Sequence, residues 1–328
     1  MAESTRPRIS VVIPVYNCEA TMGKCLEALI RQKHDAFEII IVDDGSTDRT
    51  VEICQSHDGV NVIARPRGGP SRGRNIGMET ALGEYVAFTD GDCIPDSCWL
   101  AELEKAFYGP GIAGVGGDQL SPDDDTQIGK EIQGFLKAVG FIGDYVKAGK
   151  ALGETEHNPT CNAMYRRDIL LKMGGFDEHL WPGEDVDLDY RIRKAGFKLV
   201  YNPNATVRHY RPKTYRGFAG MMLRYGSAQR QLVRKHGIFR KIQVVPFASA
   251  AIVAAYAALL AVAPHWWALL PLALLVPTIL FIVKTGDFRR SVACLVLLGI
   301  AVACWNWGFL RGAGRNAFPS GSPSGHCP

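Results

Sequence analysis

The sequence predicts an α/β fold, a doubly wound and mostly parallel sheet of Rossmann-like type, followed by C-terminal transmembrane helices. Three observations point there. Short apolar, β-branched runs alternate with helical patterns through the N-terminal third of the chain. Acids and glycines gather just after those runs, on the rim where open α/β sheets bind ligands. Past Lys241 the composition turns almost wholly apolar, apart from one short basic break.

Residues 9–15 (ISVVIPV) read as a buried first strand that ends in the turn Tyr16-Asn17. Residues 19–32 follow as a helix with Met22, Cys25, Leu26, Leu29 and Ile30 on one stripe. A second strand at 37–42 runs into Asp43-Asp44-Gly45-Ser46, and the next helix carries Val51, Ile53 and Cys54. Residues 60–64 are a third strand. The basic, glycine-rich loop 68–75 (GGPSRGRN) then leads into a helix through Leu82. Strands at 85–88 and 112–115 flank a helix over 96–107. Between 121 and 157 the pattern weakens. The glycine-containing stretch 128–148 reads as a helix or a lid, and no chemistry is assigned to it. A helix over 166–173 and the turn Gly174-Gly175-Phe176-Asp177 complete this part.

Chemistry concentrates in two acidic clusters. The first, Asp90-Gly91-Asp92, leaves the C-terminal end of the apolar run 85–88. Two carboxylates that close repel unless a cation joins them, and a hard divalent ion, Mg²⁺ or Mn²⁺, prefers oxygen ligands and would carry a diphosphate. The same tripeptide also suits a turn capping the helix that begins near Asp96. The second cluster, Gly183-Glu184-Asp185-Val186-Asp187-Leu188-Asp189, opens a helix, where its dipole favours acids. That accounts for Asp187 and Asp189 better than for Glu184 and Asp185 beside Trp181-Pro182-Gly183. His209 ends a strand-like stretch; a packed histidine and a ligand are both open readings there.

Six segments in order, VVIPVYN (11–17), IIIVDDGSTD (39–48), GGPSRGRN (68–75), EYVAFTDGD (84–92), CNAMYRRDIL…GGFDE (161–178) and GEDVDLDYR (183–191), resemble the family 2 glycosyltransferases of GT-A fold. The resemblance runs from about residue 9 to residue 209. It implies that Pro14, Tyr16 and Asp44 cradle the base and ribose. It also implies that Gly69 and its loop approach the nucleotide through backbone N–H groups, with Arg72 as a weaker contact. Asp90 and Asp92 would be the DXD motif, Asp92 the direct metal ligand, and His209 a contact to the metal or diphosphate. Asp185, with Glu184 beside it, would be the catalytic base, and Asn162 and Trp181 would face the acceptor. The implied reaction is an inverting transfer from a nucleotide-diphosphate sugar, UDP-linked by default and GDP-linked next, to a hydroxyl of a lipid-linked or cell-surface glycan.

The domains expected are a GT-A domain over 1–215, a basic amphipathic interfacial helix and linker over 216–241, a membrane region over 242–312, and a Gly/Ser/Pro tail over 313–328. Ten Lys or Arg and no acid lie between Arg208 and Lys241. That belt suits an anionic membrane surface, and a core-packed helix with a solvated basic face is the alternative. The segments 244–263, 266–283 and 291–310 are each about the ~20 residues that cross a bilayer. The basic belt, with Lys284, Arg289 and Arg290, puts the catalytic domain on the cytoplasmic side. Arg311 and Arg315 sit awkwardly outside under that rule, which leaves a re-entrant third segment open.

The N-terminus lacks an apolar stretch, so no cleavable signal is expected. The nine cysteines show no zinc-like spacing, and reduced thiols in a cytosolic setting are expected. No G-x-G-x-x-G follows the first strand and no Walker loop is present, which argues against dinucleotide and P-loop sites. A nucleic-acid partner is not expected, because the adjacent apolar spans account for the basic belt. A polyprenyl-phosphate sugar synthase would leave Glu184-Asp185 idle. A processive synthase would carry a QxxRW motif that is missing here. A catalytically inactive glycan- or nucleotide-binding scaffold is the rival from another class.

Overall fold

The computed structural model describes residues 6–140, 151–263, 279–283 and 286–312. These residues fall into two compact units, one of 6–125 with 151–210, the other of 126–140 with the described residues from 211 onward.

The first unit is built on a nine-stranded sheet. Strands β1 (Ile9–Val15), β2 (Phe37–Asp43), β3 (Val60–Ala64) and β4 (Tyr85–Phe88) pair in parallel in the order β3-β2-β1-β4. All seven residues of β1 are buried, as a central strand covered on both faces requires. Helices α1 (Met22–Ile30), α2 (Thr50–Gln55) and α3 (Pro70–Thr80) connect them. β5 (Cys93–Pro95), α4 (Trp99–Lys105) and β6 (Ile112–Leu120) follow. Strands β7 (Gly153–Thr155), β8 (Ala163–Arg166) and β9 (Lys198–His209), with helices α6 (Arg167–Lys172) and α7 (Glu184–Lys194), complete the unit; α5 (Gln127–Ala138) is in the second unit.

Beyond β4 the sheet becomes mixed. β8 lies antiparallel between β4 and β6, and β9 runs parallel to β6. β5 and β7 pair antiparallel with β9. The register aligns Cys93 with His209, so the end of β9 lies beside the residue that follows Asp92. Two apolar layers cover the sheet. One holds Val11, Ile13, Leu26, Trp99 and Leu103, the other Val12, Ile40, Phe88, Tyr165, Leu170 and Leu188.

The second unit contains α5 (Gln127–Ala138), α8 (Tyr215–His236), α9 (Val245–Val262) and α10 (Phe288–Arg311). The stretch read as a helix or lid thus forms α5 as far as Ala138. Phe135 meets Phe218 of α8 edge-on, and Arg211 donates to Gln133 at 2.6 Å. Phe218, Met221, Met222 and Leu232 of α8 are buried. Their face is spent on neighbouring helices of the unit, so the packed-helix alternative describes it better than a stripe lying in a bilayer surface.

α10 approaches α8 closely because glycines face each other's backbones. A Cβ on Gly226 would overlap the Trp305 carbonyl, and one on Gly308 would overlap the carbonyl of Leu223. Lys241–Val262 and Phe288–Arg311 are two helices long and apolar enough to cross a membrane, the first almost wholly exposed. The expected segment 266–283 falls largely outside the described residues, as does the tail 313–328.

Seven cysteines are free thiols, four of them, Cys25, Cys54, Cys93 and Cys161, buried in the first unit. Cys18 is disulfide-bonded, so the expectation of thiols throughout does not extend to it.

The glycine contacts generate a test. Gly308→Val should lower the unfolding midpoint of the detergent-solubilised protein, by about 1–3 kcal/mol in stability, through overpacking. Gly299→Val, on the same helix but with open space at its Cβ, should leave the midpoint nearly unchanged.

Candidate active site

Arg74 holds the candidate site together. It lies on α3, its side chain 3 % exposed, and its guanidinium donates from Nη2 to Asp90 Oδ1 and from Nη1 to Glu184 Oε1, each at 2.8 Å. One buried cation therefore bridges the two acidic clusters, which lie more than ninety residues apart in sequence. The neighbouring Asn75 clamps the Gly-Gly-Phe-Asp turn, donating to the Phe176 carbonyl at 2.9 Å and accepting from the Phe176 N–H at 2.8 Å. Ser71 donates to the Leu180 carbonyl at 3.0 Å. Three side chains of one helix thus fix the whole segment from the turn to the start of α7. Sequence reading treated this loop as a backbone surface for a nucleotide and missed the role of Arg74. An arginine inside a glycine-rich helix start, with carboxylates as its only fitting partners, was the available signal.

The electrostatics follow from this arrangement. One positive charge cannot neutralise two buried carboxylates, and burial disfavours their charged forms. Burial therefore pushes Asp90 up to about 7 against the pull of Arg74, with Cys161 and Asp92 adding to the rise. Burial and the adjacent Asp185 push Glu184 up to about 8, again opposed by Arg74.

Asp92 follows on the same turn, its side chain 13 % exposed. His209 Nε2 is 3.4 Å from Asp92 Oδ1, a juxtaposition that the β5–β9 register imposes. The donor atoms of Cys93, Cys161 and His209 also lie within 4.8 Å of one another. Thiolate is a soft ligand that suits zinc or copper, whereas a hard divalent ion prefers oxygen. The set that fits a hard divalent ion is therefore the Asp92 carboxylate with the His209 imidazole. Asp90 already gives Oδ1 to Arg74.

The nucleotide-side residues are brought together at the ends of β1 and β2. Pro14 is buried, and Tyr16 stacks under the Arg67 guanidinium at 3.7 Å from its ring centre. Asp44 is engaged within the chain: it accepts from the Gly68 N–H at 2.7 Å and the Gly69 N–H at 2.8 Å, and pairs with Arg65 at 2.8 Å. The N–H groups expected to meet a nucleotide are thus turned onto Asp44. Arg65 Nε and Nη1 are buried without a partner. Sequence reading passed over both Arg65 and Arg67. Arg72 is exposed.

On the expected acceptor side the two residues named differ in burial. Trp181 is half-buried before α7. Asn162 is fully buried: it accepts from Trp99 Nε1 at 2.7 Å and donates to the Asp118 and Ala205 carbonyls at 2.8 and 2.9 Å. Its amide is saturated by the core, so its expected acceptor contact is corrected to a structural one.

The four acids of α7 take different roles. Asp187 accepts from Arg191 at 2.9 Å, and Arg191 also donates to the Met173 and Gly175 carbonyls. Asp189 accepts from His157 Nδ1 at 2.8 Å, the Asn158 N–H at 2.6 Å and the Tyr165 hydroxyl at 2.8 Å. Asp185, with 19 % of its side chain exposed, faces His157 Nε2 at 3.8 Å. His157 lies in the stretch where sequence reading assigned no chemistry.

Two outcomes are expected from this charge arrangement. Arg74→Met leaves two buried carboxylates without their cation and should cost about 3–5 kcal/mol, read as a large drop in unfolding midpoint. The raised Glu184 makes the folded state bind a proton that the unfolded chain releases. Stability of the metal-free protein should therefore fall as pH rises from about 4.5 to about 8. Glu184→Gln should flatten that decline in a pH series of thermal melts.

Comparison with known proteins bears on the family and the fold. The family model described as Glycosyl transferase family 2 matches residues 10–174, and that described as Glycosyl transferase family 21 matches residues 126–314. Glycosyltransferase AglE of Haloferax volcanii is 30% identical over 206 residues, 60% of this chain and 65% of its own length. A second relative is the Methanococcus voltae enzyme named dolichyl N-acetyl-alpha-D-glucosaminyl phosphate 3-beta-D-2,3-diacetamido-2,3-dideoxy-beta-D-glucuronosyltransferase. It is 25% identical over 254 residues, 73% of this chain and 78% of that one. In fold, the chain is similar to the mannosyltransferase PcManGT of Pyrobaculum calidifontis, solved with GDP-Man and Mn²⁺. The TM-score is 0.63 at 21% identity, over 93% of this chain and 88% of that one. With a family model spanning residues 10–174 and the GT-A sheet beneath it, the chain belongs to glycosyl transferase family 2.

Proposed function

We propose that this glycosyltransferase moves a sugar from a nucleotide diphosphate to a hydroxyl of a lipid-linked or cell-surface glycan, with inversion at the anomeric carbon. The observation that carries the proposal is the Arg74 bridge, which sets the Asp185 end of α7 across from the Asp90-Gly91-Asp92 turn. Asp185 takes the acceptor proton, because it is the α7 acid that keeps access to solvent. A positioned carboxylate base contributes ~10²–10⁴ in rate. Asp92 and His209 are the residues that would hold Mg²⁺ or Mn²⁺, with Asp90 engaged by Arg74. When bound, the ion supplies charge neutralisation for the departing diphosphate. Glu184 keeps Arg74 in place and is not itself the base.

Pro14, Tyr16 and Asp44 bind the base and ribose, with Gly69 and Arg72 at the edge of the pocket. Because the Gly68 and Gly69 amides are held by Asp44, loop and acid act as one preformed wall. A UDP-sugar remains the first donor to try. GDP is the second, in keeping with the GDP-Man named for PcManGT. The lipid-linked acceptor is in keeping with the dolichyl phosphate in the name of the Methanococcus voltae relative. The two apolar helices would hold the enzyme in a membrane, with the catalytic unit on the cytoplasmic side, where nucleotide sugars are made.

The test uses the full chain in detergent. Mn²⁺-dependent binding of UDP or GDP should disappear in Asp92→Ala. Asp185→Asn should keep that binding while turnover falls at least about a hundredfold. Undiminished turnover in Asp185→Asn would remove Asp185 as base and favour the polyprenyl-phosphate sugar synthase, whose phosphate acceptor needs none. Absence of nucleotide binding under all metal conditions would favour the inactive scaffold.

A further inference from the structure

The imidazole of His157 is clamped between two carboxylates of one helix. Its Nδ1 is 2.8 Å from Asp189 Oδ2, and its Nε2 is 3.8 Å from Asp185 Oδ2. Asp185 and Asp189 are one helical turn apart on α7, so they present to the same side. His157 itself precedes the short turn at Thr160–Asn162, and its side chain is 10 % exposed.

We infer that the Asp189–His157 pair orients Asp185 and accepts the proton that Asp185 removes from the acceptor hydroxyl. The inference rests on the reading of Asp185 as base. Asp189 is a fully buried carboxylate that already receives the Asn158 N–H and the Tyr165 hydroxyl. A carboxylate oxygen accepts, so Nδ1 carries the hydrogen and Nε2 of the neutral ring presents its lone pair toward Asp185. Catalytic hydrogen bonds are often long before substrate binds, and a small rotation of the Asp185 side chain closes the 3.8 Å gap.

The acceptor oxygen forms its bond to the anomeric carbon while the bond from that carbon to the β-phosphate oxygen breaks, its electron pair leaving with the diphosphate. The hydroxyl proton goes to Asp185, then to Nε2 of His157. The resulting imidazolium is stabilised by Asp189 and gives its proton to water as the products leave. His157 is thereby a positioning residue that touches no substrate.

The titratable groups facing the ring are Asp185 and Asp189 from α7 and, through Asp189, Tyr165 from β8. On the histidine's own segment Glu156 pairs with Arg193, and behind Asp185 lies the Arg74–Glu184 pair. Among the described residues, these leave Nε2 a single titratable partner in its contacts, Asp185.

The test compares Asp185→Asn with His157→Asn and His157→Gln in the full chain. Asparagine keeps a donor at the Nδ1 position for Asp189 and removes Nε2, so a purely structural role would survive it. Its kcat should fall on the order of tenfold to hundredfold, the usual loss when a supporting partner is removed from a reactive group. KM for the donor and Mn²⁺-dependent nucleotide binding should stay near wild type. The acid limb of the kcat–pH profile should move to lower pH, because the imidazole no longer has to be neutral. Wild-type kcat with an unmoved limb in both His157 variants, alongside an inactive Asp185→Asn, would overturn the relay and leave the base assignment standing. Loss of nucleotide binding in step with turnover in both variants would make His157 a strut and overturn it as well. An active Asp185→Asn would instead defeat the base reading beneath it.

Discussion

One buried guanidinium decides the geometry of this enzyme. Arg74 is the shared partner of Asp90 and Glu184, and its burial means that it has no alternative in solvent. Desolvating an arginine costs several kcal/mol, and only well-placed charged hydrogen bonds offset that cost. Both carboxylates therefore have to stay within one guanidinium width of each other. The turn after β4 and the first turn of α7 are thereby held together by a single side chain. Two buried carboxylates sharing one cation also hold protons more tightly, which is why Asp90 and Glu184 are pushed up to about 7 and about 8.

The sheet supplies the second constraint. The parallel half, β3-β2-β1-β4, delivers Pro14, Asp44 and Asp90 to one rim, because parallel strands all end on the same side. The mixed half brings in what that rim lacks. β9 runs parallel to β6 and then pairs antiparallel with β5, which carries His209 to Cys93 and so to Asp92. A one-residue slip there would send the imidazole to the opposite face of the sheet.

Much of the first unit was legible because its signals are local. A β-branched run, a proline or an acid pair after it, and a helical stripe are each contained within a dozen residues, and the residues of β1, β2 and β4 show them without interruption. What remained hidden depends on distant partners. Asn162 looks like a polar loop residue until Trp99, Asp118 and Ala205 close around its amide. Phe218 and Leu232 look like a membrane-facing stripe until the other helices of their unit bury them. His157 sits in a stretch without periodicity, and its meaning comes wholly from two acids on a helix thirty residues later. The interior spends polar groups on one another by geometry, and geometry across the sheet is not written in spacing.

The α7 acids show how secondary structure turns such spacing into roles. At about 100° per residue, Glu184 and Asp187 point to one flank of the helix while Asp185 and Asp189 lie about 40° apart on another. The first flank meets arginines: Arg74 takes Glu184, and Arg191 takes Asp187. The second flank meets His157, which is fixed by the deeper acid and faces the shallower one. Glu184, Asp187 and Asp189 are buried at 4 %, 0 % and 0 % exposure and locked into structural hydrogen bonds. Only Asp185 combines an open side with a proton acceptor behind it. Helical period turns Glu184 and Asp187 toward arginines, and depth then separates Asp189, closed in by Asn158 and Tyr165, from Asp185, so the proposed base role falls to the one acid of the four that solvent reaches.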